Sequence, residues 1–338
     1  MLGKYEAAAT MHRKALKLKG ELLGLEHPST LSTMNNLANV LDNLGKYDEA
    51  ETMYRKELDL CKRVLGPDHP STLNSMNNLA LVLNNQGKYE EAETMHRKIL
   101  ELKEEMLGPE HPSALSNMNN LALVLASQGE YEEAETMHRK TLNLKKELLG
   151  PEHPDTLNSM NNLALVISRQ GKYEEAETMH RKTLELREEL LGPEHPSILS
   201  NINNLANVLD SQGKYEEAET MHRTILKLKE EMLGLEHPST LNSMNNLALV
   251  LNNQGKYEEA EATHRKTLEL KEELLGPEHP LTLDSMNNLS LVLRKRGHYR
   301  LAQELHQRAL FPMAKVVGRD HPRTRMCRDN LNEAVEQH

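Results

Sequence analysis

Asn77 to Leu107 reads NNLALVLNNQGKYEEAETMHRKILELKEEML, and this stretch decides the fold. Apolar side chains recur at helical spacing as far as Leu83. Gly87-Lys88-Tyr89 then breaks the pattern with a tight turn, and a second, longer helical pattern follows. The unit is copied along the chain. His-Pro recurs at His27, His69, His111, His153, His195, His237, His279 and His321, always 42 residues apart. The turn glycine keeps the same register at Gly3, Gly45, Gly87, Gly129, Gly171, Gly213, Gly255 and Gly297. A fixed period of this length marks a solenoid, in which each unit contacts mainly its neighbours.

Composition fits thin layers better than one thick core. Of 338 residues 38% are hydrophobic and only 3% aromatic, with no Trp and Phe311 as the single Phe. Leu, Ala, Met and Val must therefore fill the interior. Acidic side chains outnumber basic ones, 51 to 41, for a net charge of −10, which argues against a nucleic-acid groove or an anionic membrane surface. No apolar run reaches the roughly 18 residues that span a bilayer. The opening MLGKYEAAAT lacks the pattern of a secretory signal. Cys61 and Cys327 form no disulfide framework, which fits a reducing, cytoplasmic location.

The punctuation predicts sixteen helices and no strand. Gly66-Pro67-Asp68-His69-Pro70 ends one helix on glycine and restarts the next with proline in its first turn. Second helices open at Lys4, Lys46, Lys88, Glu130, Lys172, Lys214, Lys256 and His298, with carboxylates such as Glu90 and Glu91 at the positive helix end. The whole of 1–338 reads as one solenoid. Residues 1–26 give the second helix of a truncated repeat, as though the chain were cut from something longer or fed by an upstream helix. Full repeats occupy 27–68, 69–110, 111–152, 153–194, 195–236, 237–278 and 279–320, and 321–338 form a C-terminal capping helix. Pro312 is expected to kink or split the last second helix near Leu310.

About 100° of rotation per residue sorts the faces. On the first helix Leu73, Met76, Leu79, Ala80, Val82 and Leu83 share one arc, and Asn74, Asn77, Asn78, Leu81, Asn84 and Asn85 the opposite one. On the second, Ala92, Met95, Ile99, Leu100, Leu102, Met106 and Leu107 span a wide apolar arc. Ala80 and Ala92 are small enough to let the two backbones cross closely.

Leu79-Ala80, Gly87, Tyr89 and Ala92 in this spacing resemble the tetratricopeptide repeat. The usual unit has about 34 residues. The longer form with Asn-Asn-Leu-Ala, Gly-Lys-Tyr-Glu-Glu-Ala-Glu and Leu-Gly-Pro-Glu-His-Pro is similar to the kinesin light chain type. The resemblance implies an all-α, right-handed α-solenoid of stacked antiparallel helix pairs whose first helices line a concave groove for peptides or partner helices. Such arrays also occur as C-terminal sensor regions of NOD-like NTPase proteins. His111–Glu152 and His153–Glu194 are nearly identical, which suits an expandable recognition array. No Walker-type GxxxxGK[ST] loop and no long heptad segment is present, and Asn and Ser replace the basic groove of a cargo adaptor.

The non-packing arc of the first helices supplies the candidate site. It carries the pairs Asn35-Asn36, Asn77-Asn78, Asn119-Asn120, Asn161-Asn162, Asn203-Asn204, Asn245-Asn246 and Asn287-Asn288, closed by Asp329-Asn330. An amide both donates and accepts, so a row of them can grip a peptide backbone whatever its side chains. The same amides could instead bridge adjacent helices, since buried amides must be paired. Positions that differ between copies are the specificity candidates: Leu81, Leu123, Leu165, Asn207 and Leu249 in one row, and Asn84, Arg169, Asp210 and Arg294 beside it. Surface drift would give the same variation.

The histidines of His-Pro and Met-His-Arg have no close ligand spacing and read as packing residues. The Glu-Glu pairs read as solvated faces. No Ser-His-Asp or Cys-His arrangement occurs, so no catalytic residue, metal or cofactor is expected. Arg294 to His338 is basic and could dock an acidic partner. The expected function is a non-catalytic scaffold binding a protein or peptide, without nucleic acid or membrane, as the ligand-sensing array of a larger protein. A self-association module and a kinesin light chain-like cargo adaptor are the alternatives.

Overall fold

The computed structural model describes residues 2–192, 195–319 and 321–336. Met1, Pro193, Glu194, Asp320, Gln337 and His338, at edges of the expected segments, lie outside them. The helices are α1 Leu2–Leu23, α2 Pro28–Asn43, α3 Tyr47–Leu65, α4 Pro70–Asn85, α5 Tyr89–Leu107, α6 Pro112–Gln128, α7 Tyr131–Leu149, α8 Pro154–Arg169, α9 Tyr173–Leu191, α10 Pro196–Ser211, α11 Tyr215–Leu233, α12 Pro238–Asn253, α13 Tyr257–Leu275, α14 Pro280–Lys295, α15 Tyr299–Val316 and α16 Pro322–Glu336. No strand occurs among the described residues. The fold is an α-solenoid of helix pairs. Contacts divide it into two compact units, Met1–Pro109 with Lys271–Ser290 and Tyr299–His338 (unit 1), and Glu110–Leu270 with Leu291–His298 (unit 2).

Each first helix starts on the histidine of its His-Pro. In His27, His69, His111 and His153 the ring Nδ1 accepts from the backbone N–H two residues on, at 3.1–3.2 Å. Histidine thus takes the place usually held by Ser or Asp as N-cap, and proline follows where its missing N–H costs nothing. Each turn glycine holds a positive φ, 77° at Gly87, which side chains with a Cβ rarely adopt.

Packing follows the expected arcs with three corrections. Leu73, Met76, Leu79, Ala80, Val82 and Leu83 are all buried, as are Ala92 and Ile99. Met106 and Leu107, placed on the packing arc from sequence, are instead about half exposed, at 48% and 47%. Their helix has 19 residues and its partner α4 only 16, so the last turn overhangs with nothing against it. Gly3 makes no turn, because α1 begins at Leu2 and runs through it; one helical glycine costs only about 1 kcal/mol. Pro312 does not split α15, which is continuous to Val316. The buried Ala309, Met313 and Val317 on either side outweigh the lost hydrogen bond, worth about 3 kcal/mol with its clash.

A column of Met-His-Arg histidines runs through the interiors. His138, His180 and His222 are fully buried, and neither ring nitrogen of His138 or His222 finds a partner. Burial, reinforced by Lys145, Arg187 and Lys229 respectively, pushes all three down to about 4. In the second copy Tyr54 occupies this slot, and its hydroxyl donates to Asn39 Oδ1 at 2.6 Å. Asn207 holds the Asn39 position opposite His222, whereas Leu123 holds it opposite His138.

Two outcomes are expected. The unfolded chain takes up protons near 6.5 that the buried histidines refuse until about 4, so stability is full above 6.5 and falls as pH drops through that window. Melts from pH 7 to 4 should therefore show a decline that begins well above the carboxylate range. His222→Tyr should be tolerated, because Asn207 can receive its hydroxyl. His138→Tyr, facing Leu123, should lose roughly 1–3 kcal/mol in denaturant titrations.

Candidate peptide-binding face

The exposed arc of the first helices carries the amide ladder, and its amides bond to one another in a regular way. Asn162 donates to Asn119 at 2.9 Å, Asn204 to Asn161 at 3.1 Å, and Asn246 to Asn203 at 2.8 Å in unit 2. Asn330 donates to Asn287 at 3.1 Å in unit 1. The second amide of one copy is thus the donor and the first amide of the preceding copy the acceptor. Asn35 departs from the pattern: Asn39, one turn later in the same helix, donates to it at 3.1 Å. Asn36 is exposed, Asn77, Asn78, Asn120, Asn245 and Asn288 are half-buried, and Asn287 is buried.

These bonds do not exhaust the amides. Each rung uses the carbonyl of the first Asn and one N–H of the second, which leaves the first NH2 and the second carbonyl for other partners. The bridging role foreseen as the alternative is therefore real, and it occupies half of each pair.

Beside the ladder, Leu81 and Leu123 are exposed at 42% and 40%, Leu165 and Leu249 are half-buried, and Asn207 is exposed. Arg169 is exposed, while Asn84 and Arg294 are half-buried. Asp210 is tied to the next copy, accepting from Asn253 at 2.9 and 3.1 Å, and Asp42 accepts from Asn85 at 3.3 Å. Burial raises both carboxyls even though the amide hydrogen bond pulls them down. A second rung therefore lies two turns past the Asn pairs. Its signal was present in the sequence: Asp at 42 and 210, with Asn one copy and one residue further on.

On the second helices the Glu-Glu pairs are not simply solvated faces, because one member of each has a partner. Arg55 reaches Glu91 at 2.7 Å, Arg139 reaches Glu175 at 2.8 Å and Arg181 reaches Glu217 at 2.6 Å. Glu135, Glu177 and Glu219 each take an Arg of their own helix and a Lys of the next turn, such as Arg139 and Lys172 around Glu135. Burial would raise these carboxyls, but the surrounding donors hold all three near 2.

Among the described residues no cluster of His, Cys, Asp and Glu could hold a metal ion, and no helix is long and apolar enough to cross a membrane. Clefts of about 610 and 650 Å³ lie beside Leu37 and Met53 in unit 1 and along the Gly213 turn in unit 2.

The tetratricopeptide-repeat family matches residues 1–56, 33–105, 76–147, 113–181, 155–231 and 239–310, with a second form of the repeat at 203–272. No match was found among curated proteins. Among solved structures, a single-substitution form of a Podosopora anserina putative kinesin light chain with nearly identical TPR-like repeats is 27% identical over 61% of this chain and 97% of that one, with a TM-score of 0.51. Two further structures share the fold at lower identity. A tetratricopeptide repeat protein from Parabacteroides merdae is 18% identical over 90% of this chain and 98% of its own, TM-score 0.55. Yeast Tom70 is 17% identical over 98% and 60%, TM-score 0.60. With its period, its helix pairs and a family match through nearly all of its copies, the chain belongs to the tetratricopeptide-repeat family, in a form like kinesin light chain repeats.

Proposed function

We propose that the first helices of unit 2 hold an extended peptide or a partner helix against their Asn face, and that the chain serves as the ligand-sensing array of a larger protein. The observation that carries this reading is the half-used ladder. At Asn119-Asn162, Asn161-Asn204 and Asn203-Asn246 each amide spends one of its two groups on the rung and keeps the other. The rungs fix the side-chain rotamers, so a guest backbone meets donors and acceptors already oriented, and less ordering entropy opposes binding. Leu123 and Leu165 add apolar contact beside the amides, and Asn207 interrupts that row. Amides would grip any backbone, and the row that differs between copies would choose the side chains.

Near-identity of the copies supports the sensing role, because arrays that gain and lose whole units can change length without disturbing any interface. Tetratricopeptide repeats are in general non-catalytic scaffolds, and this face has the chemistry of recognition.

Selection from a random-peptide display library on the wild-type chain tests the reading. Leu123→Asn with Leu165→Asn should weaken the selected peptides tenfold or more, about 1.4 kcal/mol, while the array stays folded, since neither side chain is fully buried. Asn120→Ala, Asn162→Ala and Asn204→Ala together should weaken all selected peptides alike. Peptides that bind the leucine variant as well as wild type would sink the assignment of this face.

A further inference from the structure

Within unit 1, two turns of the early repeats are covered by two His-Pro segments of the late ones. Gly45 lies so close to Pro280 that a Cβ there would sit 2.7 Å from the proline Cδ, and a Cβ on Gly87 would sit 2.8 Å from His321 Cδ2. The ring Nε2 of His279 meets the carbonyl of Asn43 at 3.5 Å, and His321 meets the carbonyl of Asn85 in the same way. Both contacts join residues 234 apart in sequence when counted from turn glycine to histidine, so they are one interface seen twice.

The chemistry of this interface is set by the helix cap. Nδ1 of His279 and His321 accepts from Leu281 N and Arg323 N, so the ring proton must be on Nε2, where it can donate. The acceptors are backbone carbonyls at the ends of α2 and α4, among the groups a helix leaves unpaired. Glycine makes room. At the first turn Pro280 is buried and at the second the His321 ring is, with Pro322 exposed, whereas His69-Pro70, His111-Pro112 and His153-Pro154 are exposed throughout.

The same two halves recur unengaged. His27, His69, His111 and His153 are capped through Nδ1 in the same way and are exposed, with Nε2 directed away from the cap bond. Gly129, Gly171, Gly213 and Gly255 keep the positive φ, and a Cβ on any of them would meet nothing within 4 Å. Along the Gly213 turn an open cleft is lined by Lys214, Tyr215, Glu216, Gln254 and Lys256. Its counterpart in unit 1 holds Tyr47, which feels the charges of Asp284 and Arg323 from the covering segments.

We infer that the open glycine turns of unit 2 are a docking edge for a second copy of this chain, which seats its exposed His-Pro edge there as His279-Pro280 seats on Gly45 and His321 on Gly87. The two edges differ, so the contact is heterologous and does not close by two-fold symmetry; successive copies add to one another.

Sedimentation equilibrium of the wild-type chain from about 5 to about 500 µM, a range that brackets weak interfaces, tests this. The mean mass should rise continuously past that of a dimer. His111→Asp with His153→Asp keeps a capping side chain but replaces the donor with an acceptor, and should return the mass to that of a monomer with an unchanged melting temperature. Hydrogen exchange on the wild type needs no variant: at high concentration the segments 127–131, 169–173 and 211–215 and the His-Pro loops should slow together. A monomer throughout, a mass that stops at a dimer, or protection confined to the exposed Met106-Leu107 type of helix end would overturn the proposal.

Discussion

Most bonds that tie one helix pair to the next repeat at a fixed number of residues, and the rest of the structure depends on that constancy. Arg139 to Glu175 and Arg181 to Glu217 both reach 36 residues ahead, and Asn162 to Asn119 and Asn204 to Asn161 both reach 43 back. An insertion of a single residue between copies would break the amide rungs, the arginine pairs and the lysine bonds together. The unbroken 42-residue period is thus a physical requirement of the cross-repeat bonding.

Those bonds set register more than they supply stability. An exposed ion pair contributes typically about 0.2–1 kcal/mol, while burying one leucine contributes about 1.5–3 kcal/mol. Leu157, Leu163 and Ile167, with Met160, Leu142 and Ala176, form one such buried cluster in unit 2. Leu205, Leu209, Ala218 and Val250 form another, with Val250 contributed by the next copy. Apolar layers hold the stack, and the polar ladders decide which alignment of nearly identical surfaces is adopted. Without them a slip would cost little, because one leucine packs much like another.

The fold was legible because periodicity, glycine turns and His-Pro starts all point to one answer. What sequence could not show was anything that depends on where two copies meet. His69 looked like a packing residue, and it is a helix cap; the cue was only its constant place before proline. Glu91 looked solvated, since its partner Arg55 lies a whole copy away. Met106 and Leu107 fitted the apolar arc by rotation, but rotation says nothing of length, and their helix outruns its partner. The Asn pairs were found, yet which amide group enters a rung needed the neighbouring helix in place.

Repetition also creates a hazard that the late copies manage. If Gly45 accepts His279-Pro280, any other glycine turn offers nearly the same seat to any other His-Pro edge, and nothing in the shared motif says which is correct. Discrimination must come from positions where the copies differ. The covering segments carry such differences: Asp284 stands where earlier copies have Asn74 or Ser116, and Arg323 where they have Ser71 or Ser113. These two residues pair with each other at 3.5 Å, which ties the two covering segments together as the earlier copies are not tied. A covalently tethered edge also competes at a high effective concentration, which favours it over an identical edge in solution. The chain therefore holds its own late segments against Gly45 and Gly87.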